Sequence, residues 1–145
     1  MTNAVPYNKT GPGLKKMRRL HILLAEDNLL NIKLASLVFA QYGLTFQVAE
    51  NGSIAVEKIK NGHFDIVLMD MEMPVLNGYQ ATNLIRHELK NDIPIIALSA
   101  HSGQDEKEKC LRLGMNDYIE KPINETILFR SILNLTGSKK KTSKR

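Results

Sequence analysis

A chain of 145 residues with 43% apolar residues has room for one domain with its own hydrophobic core. Its formal charge of +5 belongs to its ends: ten of the 20 cations lie in residues 1–19 and 139–145, which hold no acid, so the other ten face all 15 acids in residues 20–138 and leave a net of −5 there. The single cysteine, Cys110, excludes a disulfide framework, no run reaches the ~20 apolar residues of a membrane span, and no signal-peptide core opens the chain, so a cytoplasmic location without membrane insertion is expected.

Residues 1–18 hold Gly11, Pro12 and Gly13 and little apolar period, which predicts a basic flexible arm or linker. Gly11-Pro12-Gly13 precedes the first apolar run, so it is no dinucleotide-binding loop. Residues 19–136 are the expected domain, and 137–145 a basic flexible tail. Within the domain, apolar runs bounded by turn residues predict five buried strands: Leu20–Ala25, Thr45–Ala49, Asp65–Asp70, Pro94–Ser99 and Asp117–Ile119. Helix-length segments separate them. The first helix offers Leu30, Leu34, Leu37 and Val38 as its inward stripe and ends at Gly43. The second opens at Asn51-Gly52, buries Ala55, Val56 and Ile59, and stops at Gly62. The third spans about Asn77 to Lys90 with Ala81 and Ile85 inward. The fourth, about Gln104–Leu113, is mostly charged, with a short stripe of Cys110 and Leu113. The fifth carries Leu128, Ile132 and Leu135 on one face.

Strand–helix alternation with short connections implies an α/β fold: a five-stranded parallel sheet with helices on both faces. Ligands of such sheets bind beyond the carboxyl ends of the strands, where strand order reverses. Glu26 and Asp27 follow the first strand, Asp70 ends the third, Ser99 ends the fourth, and Lys121 follows the fifth. Three carboxylates, a hydroxyl and an ammonium therefore meet in one crevice. Crowded carboxylates call for a neutralising cation, and oxygen-only donors favour Mg²⁺ (or Mn²⁺) over zinc. Helix capping accounts for Asp27 or Asn28 taken singly, but for neither Asp70 nor Lys121.

The run from Asp70 to Gly78, with Met73-Pro74 and Asn77-Gly78, resembles the D-x-x-M-P-x-x-[DN]-G signature of response-regulator receiver domains. Glu26-Asp27-Asn28 is similar to their acidic pair, Ser99-Ala100 to their hydroxyl-alanine switch, and Lys121-Pro122 to their Lys-Pro. The resemblance covers residues 20–135, and Asn28, Asn31 and the 114–118 segment bring it closest to receivers of hybrid histidine kinases. It implies the (βα)5 flavodoxin-like fold and a phosphorelay role, with Asp70 as acceptor of a phosphoryl group from a histidine kinase or histidine phosphotransfer domain. Glu26, Asp27, Asp70 and the Glu72 backbone carbonyl would serve the cation. Ser99 and Lys121 would donate to the phosphoryl oxygens, Lys121-Pro122 would be cis, and small Ala100 would leave the phosphate accessible. Ser99 and Tyr118 would switch the face of the fourth helix, fifth strand and fifth helix, where a dimer is also possible. Glu72 by charge repulsion, and His101 to a smaller extent, would tune the phosphoryl lifetime.

The domain would be no enzyme beyond its own phosphorylation and autodephosphorylation. An aspartyl-phosphate phosphatase of the haloacid-dehalogenase type would need an Asp where Glu72 stands, and a cap domain. A non-phosphorylated pseudo-receiver acting as a protein-binding scaffold is the alternative, and the complete residue set opposes it. The basic ends suit solvated segments, and no helix-turn-helix remains for specific nucleic-acid reading. His21, His63 and His87 form no metal set, and Cys110 reads as a small apolar side chain.

Overall fold

The computed structural model describes residues 11–137; the expectations for residues 1–10 and 138–145 lie outside them. In chain order the elements are α1 (Pro12–Met17), β1 (Ile22–Ala25), α2 (Leu29–Gln41), β2 (Phe46–Ala49), α3 (Gly52–Asn61), β3 (Ile66–Asp70), α4 (Gly78–Asn83, running on into a π-helical turn Leu84–Glu88), β4 (Ile95–Ser99), α5 (Gln104–Arg112), β5 (Asp117–Glu120) and α6 (Glu125–Gly137). The sheet is parallel throughout with order β2-β1-β3-β4-β5. Strand order reverses between β1 and β3.

Side chains alternate along each buried strand and feed two cores. Leu23, Ala25, Val67, Met69, Ile95 and Ala97 face α3, α4 and α5 through Ala55, Ile59, Ala81, Ile85 and Cys110. Ile22, Leu24, Ile66, Leu68, Ile96 and Leu98 face the other layer through Phe39, Leu128, Phe129 and Ile132. Strands this apolar on both faces are what a covered parallel sheet demands.

Two expectations fail. Residues 12–17 are a helix with Pro12 at its start, and its Leu14 and Met17 are fully buried against the layer holding Tyr42 and Phe129. The Arg18 guanidinium fastens the next turn by donating from Nε to the Tyr42 carbonyl at 3.1 Å. The flexible arm therefore does not extend to residue 18. Two apolar residues three apart are too few to register as a period, yet each removes roughly 2 kcal/mol worth of apolar surface from water.

The first helix also turns largely the other way, with only Val38 of its expected stripe packed, half-buried, against the core. Leu30, Leu34 and Leu37 are 65%, 52% and 60% exposed, while Phe39 and, just past the helix, Tyr42 are buried. That helix is apolar on nearly all sides, so spacing alone does not select a face. The large aromatic rings decide it: Phe39 meets Phe46, and Tyr42 meets Phe129, both edge-on.

Candidate active site

Register places the chemistry. Ala25 pairs with Met69, Asp70 with Leu98, and Ser99 with Glu120, so the residues that follow or end these strands line one edge of the sheet. Asp70 is 4% exposed, Glu26 2% and Ser99 1%. The Lys121 ammonium reaches both buried carboxylates, lying 3.1 Å from Glu26 Oε1 and 3.1 Å from Asp70 Oδ1. Lys121-Pro122 is cis, as expected.

Each carboxylate is held differently. Glu26 Oε2 accepts the Asn28 backbone N–H at 3.2 Å and the Asn31 side-chain amide at 3.4 Å. Asn28 caps α2 by accepting the Asn31 N–H at 3.0 Å, so Asn28, and not Asp27, is the capping residue. Asp27 stays exposed, with no hydrogen bond to its carboxylate among the described residues. Asp70 Oδ1 accepts the Glu72 N–H at 3.1 Å. Burial pushes the Asp70 carboxyl up to about 6; the Glu72 N–H opposes this, the Glu26 charge adds to it, and Lys121 opposes it again. Burial alone pulls Lys121 down, but the charges of Asp70 and Glu26 outweigh it and raise the ammonium.

The β3–α4 loop is shaped by close approach. A Cβ on Gly78 would fall 2.5 Å from the Asp70 carbonyl oxygen, so the signature glycine lets α4 start directly against the acceptor strand. Asn77 and Gln80 complete a reciprocal cap at that start. Val75, 78% exposed, takes φ 68°, a strained conformation for a β-branched residue.

On the other side, Ser99 Oγ accepts the His101 N–H at 3.0 Å, and the Tyr118 hydroxyl donates to the His101 carbonyl. His101 Nε2 lies 2.6 Å from Glu72 Oε2. Ala100 is exposed beside them. The sequence-predicted residues thus converge on one crevice. Asn31, which orients Glu26, stood out in sequence only as a family marker; its position as the third residue of α2 carries no chemical signal of its own.

Oxygens of Glu26, Asp27 and Asp70 all lie within 4.8 Å of one another. Three carboxylates against one ammonium leave an excess of negative charge, and oxygen donors suit a hard divalent cation. A family model described as the response regulator receiver domain matches residues 22–133. The chain belongs to the response regulator receiver family.

This receiver domain is 43% identical over 114 residues to Hybrid signal transduction histidine kinase B of Dictyostelium discoideum, covering 70% of this chain and 6% of that protein. It is 37% identical over 131 residues to the sensor protein GacS of Pseudomonas syringae, covering 88% of this chain and 14% of that one. It therefore spans a small part of the length of these relatives. Among solved structures, the receiver domain of yeast Ssk1, crystallised with the histidine phosphotransfer protein Ypd1, aligns with TM-score 0.79 at 29% identity over 85% of this chain and 92% of that one. The receiver domain of a Pseudomonas aeruginosa sensor histidine kinase, with a magnesium ion in its active-site cleft, aligns with TM-score 0.73 at 36% identity over 82% and 98%. The chain is a receiver domain of two-component phosphorelay signalling, and no described helix is long and apolar enough to cross a membrane.

Proposed function

We propose that Asp70 is the phosphoacceptor, and that Lys121, bound at 3.1 Å to both Asp70 and Glu26 in a buried crevice, is the observation that carries the assignment. A carboxylate oxygen of Asp70 attacks the phosphorus of a phosphohistidine; the P–N bond breaks, the imidazole leaves, and an acyl phosphate remains. Phosphoryl transfer asks a protein mainly for position and neutralised charge. Asp27, Asp70 and the Glu72 backbone carbonyl would hold Mg²⁺ (or Mn²⁺), with Glu26 behind them; the bound cation supplies charge neutralisation at the phosphoryl oxygens. Lys121 transfers its hydrogen bond to a phosphoryl oxygen, a charge-assisted contact. Ser99 donates its hydroxyl proton to another.

The donor side of the site is apolar. Leu34 and Leu37 of α2 stand exposed on the same cleft as Ile123, which is 37% exposed. A cleft of about 420 Å³ between α2 and the start of α6, lined by Leu34, Val38, Phe39, Ile123 and Leu128, runs up to Glu26 and Lys121. This surface suits the helix that carries the phosphohistidine of a histidine kinase or phosphotransfer domain in the cytoplasm. Ser99 and Tyr118 then pass the change to the α5–β5–α6 face, the proposed site of output and of any dimer contact. The domain's only catalysis is of its own phosphorylation and dephosphorylation.

Incubation of the purified chain with acetyl phosphate and Mg²⁺ tests the assignment. Intact mass rises by one phosphoryl group in the wild type and not in Asp70→Asn. A label that survives Asp70→Asn removes Asp70 from the role.

A further inference from the structure

His101 is a junction between groups that the sequence lists separately. Its N–H donates to Ser99 Oγ at 3.0 Å, its carbonyl accepts the Tyr118 hydroxyl, and its ring Nε2 lies 2.6 Å from Glu72 Oε2. Glu72 in turn donates its own N–H to Asp70 Oδ1 at 3.1 Å. Glu72 stands on the loop after β3 and His101 on the loop after β4, so their side chains join the two loops that flank Asp70. Both side chains are well exposed, 65% and 62%, whereas Asp70 is buried, which puts the contact on the solvent side of the carboxylate. An exposed imidazole–carboxylate contact contributes little to stability. Its consequence lies in what it connects.

From these contacts we infer that Glu72 and His101 act as one bridge across the mouth of the site, and that His101 is a positioning residue through which this bridge holds Ser99 Oγ and the Tyr118 hydroxyl. Taken singly, Glu72 would repel an attacking water and His101 would have a lesser effect. Joined, they lose their independence: removing either side chain opens the same bridge. The bond needs an imidazole N–H and an acceptor oxygen, so Glu72→Gln retains it and Glu72→Ala or His101→Ala breaks it. His101→Ala still has the backbone N–H and carbonyl that meet Ser99 and Tyr118, but nothing then ties them to Glu72.

The test uses the full chain labelled with 3-fluorotyrosine, with the Tyr118 resonance identified among the four tyrosines by its absence in Tyr118→Phe. Glu72→Ala is expected to move that resonance, although Glu72 has no hydrogen bond to Tyr118 among the described residues. Glu72→Gln is expected to leave it near the wild-type position. In a His101→Ala background, Glu72→Ala should add no further shift. An unmoved resonance in Glu72→Ala, or a shift of equal size with and without the His101 ring, overturns the inference. This readout needs no phosphate, so it fails or succeeds independently of the phosphoacceptor assignment.

A second measurement rests on that assignment: loss of label from the purified phosphoprotein at fixed Mg²⁺. Glu72→Ala, His101→Ala and the double variant should each shorten the lifetime by about the same factor, roughly threefold. Effects that multiply in the double variant would show two separate influences and contradict the bridge.

Discussion

Asp70 pays in stability for being buried beside Glu26. Its folded value of about 6 exceeds the ordinary 3.8, so between these values the native chain retains a proton that the unfolded chain has released. Stability therefore falls as pH rises through that window, and the cost persists above it. In chelator at pH 7, Asp70→Asn should be more stable than wild type by up to roughly 3 kcal/mol, and near pH 4 the gap should close. Urea denaturation at the two pH values checks this, and a gap that does not change with pH contradicts it. The cation separates the other two carboxylates. Glu26 is already held by Lys121, Asn28 and Asn31, whereas Asp27 is exposed, so Asp27→Ala should weaken Mg²⁺ binding more than Glu26→Ala when titrated by calorimetry. Equal affinities for both variants and wild type would count against this division. At this scale the sequence was informative because the motif residues sit at strand ends, where topology alone brings them together. The Asn31 contact depends on a side-chain rotamer and left no trace in spacing.

Elements were legible where apolar period and caps agreed. Asn51 and Asn77 cap α3 and α4 as their positions suggest, and Ala55, Ile59, Ala81 and Ile85 are buried as their spacing requires. The period failed for α2, where two apolar stripes compete and only tertiary packing of Phe39 and Tyr42 chooses between them. It failed for α1, which is shorter than two turns. Both failures have measurable consequences. Leu34→Glu should lower transfer from a phosphorylated histidine phosphotransfer domain by about tenfold or more while labelling by acetyl phosphate stays within about twofold, because the change touches docking and not chemistry. Equal loss with both donors contradicts a docking role. Leu14→Ala, fully buried, should cost about 2–4 kcal/mol in chemical denaturation. A cost near zero would show that α1 does not hold the fold.

Across the whole molecule, an acidic domain lies in a chain whose ends are basic. Two cores hold a sheet whose carboxyl edge gathers Glu26, Asp70, Ser99 and Lys121, and the proposed function gives the apolar flank of α2 to the donor and the α5–β5–α6 face to the response. The lysines of residues 139–145 lie far along the chain from these groups, and deleting them should leave phosphorylation rate and melting temperature almost unchanged; DNA binding that fades steeply with salt and disappears on deletion would assign them a partner instead. In the proposed function one carboxylate, Asp70, becomes an acyl phosphate. Sodium borohydride reduces an aspartyl phosphate to homoserine, so reduction after treatment with acetyl phosphate and Mg²⁺, followed by peptide mass spectrometry, locates the modified residue directly. Homoserine is expected at position 70 alone, and none when the cation is chelated. Homoserine at any other carboxylate, or at position 70 to the same extent in chelator, would contradict it.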